Sequence, residues 1–294
     1  MQRPVLTDRA FFLLSMQTVA IQGVAGAFHH EAAQAFFSEP IAVDPHDTFA
    51  GLVQAVGEGR VPCGAIAIEN TVAGSIHQNY DLLYQAPVRI VGEHVLPIAQ
   101  HLGALPGTRP EALTEVRSHY MALAQCRAYL DRFPHVRRVE AVDTASSVKE
   151  VAEGQLQGVG AIGSATAMAL YGLEVIAPNI ETHKHNFTRF FIIRPESEGE
   201  VAGANKVSLR LTLNHRVGSL AVALGALEAI SGNLTKLESM VIPGRPWEYA
   251  FYLDIEFDGR IPKDTFNAWL QEHCGDHHLL GTYITQRHAT LSKN

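Results

Sequence analysis

From Thr18 onward, short apolar runs rich in β-branched residues alternate with longer stretches whose apolar positions recur at helical spacing. That alternation predicts an α/β fold with a largely parallel sheet. "TVAIQG" predicts a strand, and "VAGAFHHEAAQAFF" sets Ala32, Ala33, Phe36 and Phe37 on one helical face. Helix "FAGLVQAVGEG" and strand "CGAIAIEN" follow. "VRIVGEHVLPIAQHLGAL" predicts two extended runs, "EALTEVRSHYMALAQCRAYLDRF" a loop and a long helix, and "RRVEAVDT" a strand. Helix "ASSVKEVAEG", strand "VGAIGS", helix "ATAMALYGL" and strands "EVIAPNI" and "RFFIIRP" complete this region. "ESEGEVAGANK" is polar, aperiodic and glycine-containing, as linkers are. Beyond it come strand "VSLRLTL", an amphipathic helix "VGSLAVALGALEAISG", strands "LTKLESMVI" and "EYAFYLDIEF", helix "PKDTFNAWLQEHC" and strand "LLGTYI". The order βαββαβ is a split ferredoxin-like unit. The expected division is an extension over 1–16, a first unit over 17–195, a linker over 196–205, a second unit over 206–284 and a tail over 285–294.

Composition adds limits. A chain of 294 residues, 47% hydrophobic and 18% charged, can bury sizeable cores in about two domains. The formal charge of −7, from 30 acidic and 23 basic side chains, gives no footprint for nucleic acid or an anionic membrane, so local groups must hold any anionic ligand. Cys63, Cys126 and Cys274 are far apart, odd in number and form no zinc spacing, which fits a reducing cytoplasm. "FFLLSM" is too short for a signal sequence, and no run reaches the length of a membrane span. Residues 1–15 read as a flexible extension or a miscalled upstream start.

Candidate chemistry gathers where apolar runs stop. "GVAGAF" places two glycines at the mouth of a helix, where free N–H groups favour an anion. A tight turn needing glycine dihedrals is the favoured account of them, and the third glycine and downstream acid of a dinucleotide site are missing. "AIAIENTVAGSI" ends an apolar strand in Glu69, Asn70 and Thr71 and then passes Gly74 and Ser75. Strand carboxyl ends hold ligands in α/β sheets, although Asn70 or Thr71 capping a following helix uses the same residues. His29-His30, His183, His185 and His277-His278 suggest a metal. Yet there is no HExxH and no cysteine support, and fifteen histidines make local coincidences common, so they read as solvated loop residues. "HNFTRFF" sets Asn186, Thr188 and Arg189 before an apolar strand. Arginine can grip a carboxylate and threonine can donate a hydrogen bond, while a structural reading has Arg189 pairing an acid and Thr188 opening the strand.

Taken in order, these segments resemble prephenate dehydratase with a C-terminal ACT regulatory domain, over about Val19 to Tyr283. "GVAGAFHHEAA" is similar to the family's G-P-x-G-T-F-S-x-x-A-A opening, "IENTVAGSIHQNYDLL" to its E-N-S-x-x-G-S stretch and "SHYMALAQCRAYL" to its S-H-P-Q-x-L-x-Q-C helix. "DTASSVKEV" resembles its D-T-A segment, "NFTRFFII" its N-x-T-R-F signature, and "NLTKLESMVIPGRPWEYAFYLDIE" the N-L-T-K-I-E-S-R-P motif with its W-E-Y-x-F continuation. The resemblance implies two α/β lobes around a cleft, like type II periplasmic binding proteins, as the catalytic domain over 17–195, and a ferredoxin-like ACT domain over 206–284.

It also implies a lyase needing no cofactor: prephenate loses its ring hydroxyl and its ring carboxylate as CO2, giving phenylpyruvate for L-phenylalanine biosynthesis. Thr188 matches the family's essential threonine and is expected to hydrogen-bond the leaving hydroxyl as the catalytic residue. Asn70, Thr71, Gly74, Ser75, Ser118, His119, Gln125, Thr144, Ala145, Asn186, Arg189 and Phe190 fall on substrate-cleft positions. Glu69 beside a dianion would be costly unless protonated or turned to an arginine. Asn214, Val217, Gly218, Ser219, Leu220, Asn233, Glu238 and Ser239 fall on the phenylalanine effector site, and ACT modules pair side by side, implying a homodimer or homotetramer. Departures are Ala27 and His29 in the opening motif, Thr71 for serine, Tyr120 and Met121 for Pro-Gln, and Met240 and Val241 for Arg-Pro. Alternatives are arogenate dehydratase, whose substrate carries an amino group in place of the keto oxygen, and a non-catalytic small-molecule binding protein.

Overall fold

The structure, a computed structural model, describes residues 16–214 and 216–286. All but Met16 of the expected extension, and all but Thr285 and Gln286 of the expected tail, lie outside the described residues. "TVAIQ" forms the first strand, β1 (Gln17–Gln22), whose Val19, Ala20 and Ile21 are fully buried. A strand covered on both faces has no need of alternation, which is why this run is continuously apolar. It pairs in parallel with β2 (Ile41–His46) and β3 (Cys63–Asn70). The strand β2 was not expected from "IAVDPH", because Asp44 and Pro45 depress strand propensity. Pro45 is tolerated because β2 ends the sheet. The helices α1 (Phe28–Phe37) and α2 (Phe49–Gly57) connect these strands, and Thr48 caps α2 by accepting from the N–H of Gly51.

After the two-residue β4 (Gly74–Ser75) and α3 (His77–Gln85), β5 (Val88–Pro97) leaves the first lobe. The second lobe contains β6 (His101–Ala104), β7 (Glu115–His119), α4 (Tyr120–Gln125), α5 (Arg127–Leu130) and β8 (Arg137–Ala141). It continues through α6 (Thr144–Glu153), β9 (Val159–Gly163), α7 (Ala165–Tyr171) and β10 (Glu174–Ala177). The expected long helix is therefore replaced by a strand and two short helices. Glu115 and Arg117 hid the strand, since they make "EVRSH" look solvated. In the structure Glu115 is buried against Arg117 and Arg137. The chain returns through β11 (Phe187–Pro195), antiparallel to both β3 and β5, so the expected largely parallel sheet is mixed.

A βαββαβ unit follows: β12 (Lys206–Thr212), α8 (Ser219–Ala229), β13 (Gly232–Val241), β14 (Tyr249–Phe257), α9 (Lys263–His273) and β15 (His277–Tyr283). Its strand order is β13-β14-β12-β15, and β15 pairs with β5, so one sheet runs from β13 through to β2. The second unit thus continues the sheet of the first. Tyr252, Leu280 and Tyr283 pack in one core with Leu52, Ile66, Tyr80 and Phe191 of the first lobe. The joint depends on Gly281, where an added Cβ would meet the Ile90 carbonyl oxygen at 2.1 Å. Gly281→Ala is therefore expected to cost about 1–3 kcal/mol or more in a urea unfolding titration, as overpacking against rigid backbone does. The helix α8 is apolar almost all round and exposes Ala221, Val222, Gly225 and Ala229, so it is not the amphipathic helix expected.

Candidate active site

The two lobes are linked by the β5–β6 connection and by the returning segment before β11. Glu181, 5% exposed, staples these segments: its carboxylate accepts from the N–H of Gln100 at 2.9 Å and from Nζ of Lys184 at 2.9 Å. Burial would raise its pKa, but these hydrogen bonds outweigh that and hold the carboxyl low. His183 and His185 are exposed on the same segment. The turn after β1 also touches the second lobe. Gly26 lies at φ +89°, where its Cβ position is 2.8 Å from the Ala167 Cα, and its carbonyl accepts from the Ser164 hydroxyl at 2.8 Å. The tight-turn expectation for "GVAGAF" holds, because glycine dihedrals set the turn, and the Gly26 N–H donates to Nδ1 of His30 at 3.1 Å.

Between the lobes lies a cavity of about 520 Å³, a size suited to a small ligand. The carboxyl ends of parallel strands face it from both sides, with Gln22, Asp47 and Asn70 from the first lobe and His119, Val142 and Asp143 from the second. Thr188 and Phe190 of β11 line it. Successive residues of a strand face opposite ways, so Arg189 points to the other side.

Thr188, 9% exposed, is set by an amide chain. The side-chain carbonyl of Asn70 accepts from the backbone N–H groups of Val72 and Ala73, each at 2.9 Å, which fixes its Nδ2 as the donor. Nδ2 then donates to Oδ1 of Asn186 at 2.7 Å, to the Thr188 hydroxyl oxygen at 3.0 Å and to the Phe187 carbonyl at 3.1 Å. Asn186 in turn donates to Oε1 of Gln125 at 3.1 Å, across the interlobe seam. Because Thr188 accepts here, its own proton is free for a ligand. Asn70 acts through an Asx turn, and no helix begins directly after it.

Of the expected substrate-site residues, Asn70, His119, Gln125, Thr144, Phe190 and Thr188 line the cavity. Seven do not. Arg189 is corrected from a ligand contact to a structural ion: its guanidinium bonds Glu93 at 2.7 Å, Asp254 at 2.5 Å and the Tyr283 hydroxyl at 3.1 Å. Thr71 pins the Asn70 turn to Phe187 and His185, and Asn186 supports from behind. Ser75 bonds Lys236 and Glu238, Ser118 bonds the Ile162 carbonyl, and Ala145 is fully buried. Gly74 lies beside Ser75 in β4. Glu69, the carboxylate expected to be protonated or turned to an arginine, pairs with Lys236 at 2.8 Å and lies 3.8 Å from the Arg189 guanidinium. The sequence reading missed Gln22, Asp47, Thr48, Phe49, Gln78, Gln100 and Asp143 as lining residues. Asp47 and Thr48 followed an unrecognised strand. Asp143 was legible as an N-cap, and it caps α6 by accepting from Ser146.

His29 also lines the cavity, and burial pushes its pKa down from 6.5 to about 4. The unfolded chain then binds more protons than the folded one between these values, so stability falls as pH falls through that window. The loss from this residue is expected to reach roughly 3 kcal/mol in urea titrations across the window, and a His29→Phe chain should lose correspondingly less.

In the βαββαβ unit, Asn214, Val217, Ser219 and Leu220 line an open depression of about 940 Å³ together with Trp247 and Tyr249. Gly218, Asn233, Glu238 and Ser239 do not. Glu238 is corrected, because it faces the first lobe and accepts from the Ser75 hydroxyl at 2.9 Å. Asn233 lies beside a separate shallow depression with Leu224 and Ser231.

Two α/β lobes with strand ends converging on an interlobe cavity, and a threonine hydroxyl free to donate at its wall, define a two-lobed protein with a cleft of small-molecule size. Residues 19–198 match the prephenate dehydratase family, and the chain belongs to that family. It is 33% identical over 81% of its length to a bifunctional chorismate mutase/prephenate dehydratase of Aquifex aeolicus, covering 65% of that protein. It is 37% identical over 81% of its length to arogenate dehydratase/prephenate dehydratase 2 of Arabidopsis thaliana, again covering 65%. The chain thus spans just under two thirds of these curated relatives. Among solved structures, a protein described as GqqA, a novel type of quorum quenching acylases, is 28% identical with a TM-score of 0.82, over 93% of this chain and 100% of that one. Prephenate dehydratase from Arthrobacter aurescens, in complex with L-Phe, is 25% identical with a TM-score of 0.77, over 91% and 90%.

Proposed function

We propose that this chain is a prephenate dehydratase: prephenate and a proton give phenylpyruvate, CO2 and water, a step toward L-phenylalanine. The observation that carries the reading is the Thr188 hydroxyl at the cavity wall, accepting from Asn70 and so left to donate. As the ring C–O bond breaks, the departing oxygen gains negative charge, and Thr188 donates to it. Loss of CO2 supplies the electrons that make the ring aromatic, so no redox partner is needed. Closure of the lobes would exclude water from the developing charge. The acylase named among the structural relatives suggests hydrolysis. However, Thr188 faces a donor amide rather than a base that could take its proton, which is the wrong arrangement for a nucleophile.

A second substrate has one observation in its favour. The lining carries Asp47 and Asp143 and, among the described residues, no lysine or arginine, so the ammonium group of arogenate meets no repulsion. Purified chain offered prephenate, arogenate and an N-acyl amide separates the readings. Phenylpyruvate from prephenate supports ours; turnover of the amide alone, or of none of the three, rejects it, and of arogenate alone favours arogenate dehydratase.

We assign residues 17–195 as the catalytic part and residues 206–284 as an ACT domain, with L-phenylalanine as effector in the depression around Asn214, Val217, Ser219 and Leu220. The edge strand β13 and the exposed apolar face of α8 support pairing of the chain through this unit as a homodimer or homotetramer. No described helix is long and apolar enough to cross a membrane. The reading implies a cytoplasmic enzyme without metal or cofactor.

A further inference from the structure

His29 stands in the first turn of α1, on the cavity wall formed with Phe49 and Phe190 and only 9% exposed. Its ring meets Phe190 edge-on, with centroids 5.1 Å apart, and lies tilted against Phe49 at 5.5 Å. The main chain decides which ring nitrogen carries the proton. Where β3 and β11 slip register, Arg189 pairs with Glu69 but Phe190 pairs with Ala67. A bulge of this kind turns backbone groups toward side chains. The Ala67 N–H donates to Nε2 of His29 at 3.4 Å, and the Ala67 carbonyl accepts from the Asn79 amide at 2.7 Å. An amide N–H can only donate, so Nε2 must accept, and a half-turn of the ring would set carbon against that donor.

In a neutral imidazole the proton then sits on Nδ1. That nitrogen has no protein partner among the described residues, and it is not sealed off as a buried orphan. A polar atom so placed is satisfied by water or by a ligand. The cavity's other titratable side chains are Asp47, His119, Tyr120 and Asp143, and none is a lysine or arginine. Carboxylates entering this cavity must be held by neutral donors.

We infer that His29 is a substrate-binding residue, a neutral donor that presents Nδ1–H to a carboxylate oxygen of the substrate. The inference rests on the dehydratase reading. An uncharged donor suits a site that must bind an anion and then release CO2 from it, because it orients a carboxylate without the grip of a full ion pair.

The test is steady-state kinetics on the full chain with prephenate, for the unsubstituted protein and for His29→Phe and His29→Asn, with an unfolding titration of each at neutral pH. Phenylalanine keeps the ring and its packing but has no N–H, and is expected to raise KM about 10- to 100-fold while the chain stays folded. Asparagine offers an amide N–H near the position of Nδ1 and is expected to recover most of that loss. A folded His29→Phe chain with unchanged KM overturns the inference, and so does asparagine no better than phenylalanine. Nitrogen NMR of labelled histidine in the unsubstituted chain reads the same point without a variant. An Nδ1–H signal for His29 supports it, and an Nε2-protonated ring overturns it. If the unsubstituted chain does not turn over prephenate, the dehydratase reading fails and takes this inference with it, a result distinct from the others.

Discussion

Thr188→Val is expected to lower kcat for prephenate by about 10²–10⁴-fold, the range associated with loss of a positioned proton donor. Valine keeps the β-branch and nearly the volume of threonine, so the rotamer, the strand and the contact with the cavity are retained. What is lost is one oxygen, which both donates to the ligand and accepts from Asn70. The Asn70 amide still reaches Asn186 and the Phe187 carbonyl, so it is not left unpaired. Stability is therefore expected to fall by no more than about 1 kcal/mol, the net contribution of an ordinary hydrogen bond. Thr188→Ser keeps the hydroxyl and should retain most of the activity. Full activity in the valine variant, measured as phenylpyruvate formed, would remove Thr188 from the mechanism.

The largest stability effect is expected at Asp254. This carboxylate is 1% exposed and accepts from Arg189 at 2.5 Å and from the Ser208 hydroxyl at 2.5 Å. Burial would raise its pKa, but Arg189 and Lys206 more than reverse that and hold it below the ordinary value of 3.8. Asp254→Ala leaves the Arg189 charge buried, with Glu93 already shared with Lys206. Breaking one side of such a pair costs about 3–5 kcal/mol, which in urea titration amounts to a large part of a typical domain's stability. The double change Arg189→Met with Asp254→Leu is expected to be much milder than the two single changes summed, because it removes both charges together. A lowered carboxyl pKa also means that this stabilisation is complete above the ordinary value and is lost as pH falls through the folded one. An Asp254→Ala chain as stable as the original would show that the network contributes nothing.

Much of this was legible in residue order. Runs such as "CGAIAIEN" and "RFFIIRP" mark strands by composition alone, and the abrupt arrival of Asn70 and Thr188 at strand ends marks the cleft. The alternation of "FTRF" also states that Thr188 and Arg189 face opposite ways. It does not state which face is the cleft: the residues alone left Arg189 between gripping a carboxylate and pairing an acid, and the family resemblance assigned it to the ligand. Its true partners, Glu93 and Asp254, lie 96 and 65 residues away in sequence. Yet a signal for them existed: "VGEHV", "NKVSLRL" and "YLDIEF" each place charges inside apolar strands, where a charge is buried only if paired. The continuity of the sheet through Gly281 had no local signature, because pairing between β15 and β5 is set by packing of whole units.

The shared sheet bears on how separable the two halves are. The exposed segment from Glu196 to Glu200 looks like an ideal place to divide the chain. Cutting there would sever only a covalent tie, since Lys206, Asp254, Tyr283 and the β5–β15 edge would still hold the pieces together. A nicked chain is therefore expected to elute as one particle. A first unit made without the second would instead display the free edge of β5 and carry Arg189 without its Asp254 counter-charge. In this molecule the polar linker marks where the sequence changes character, not where the structure can be taken apart.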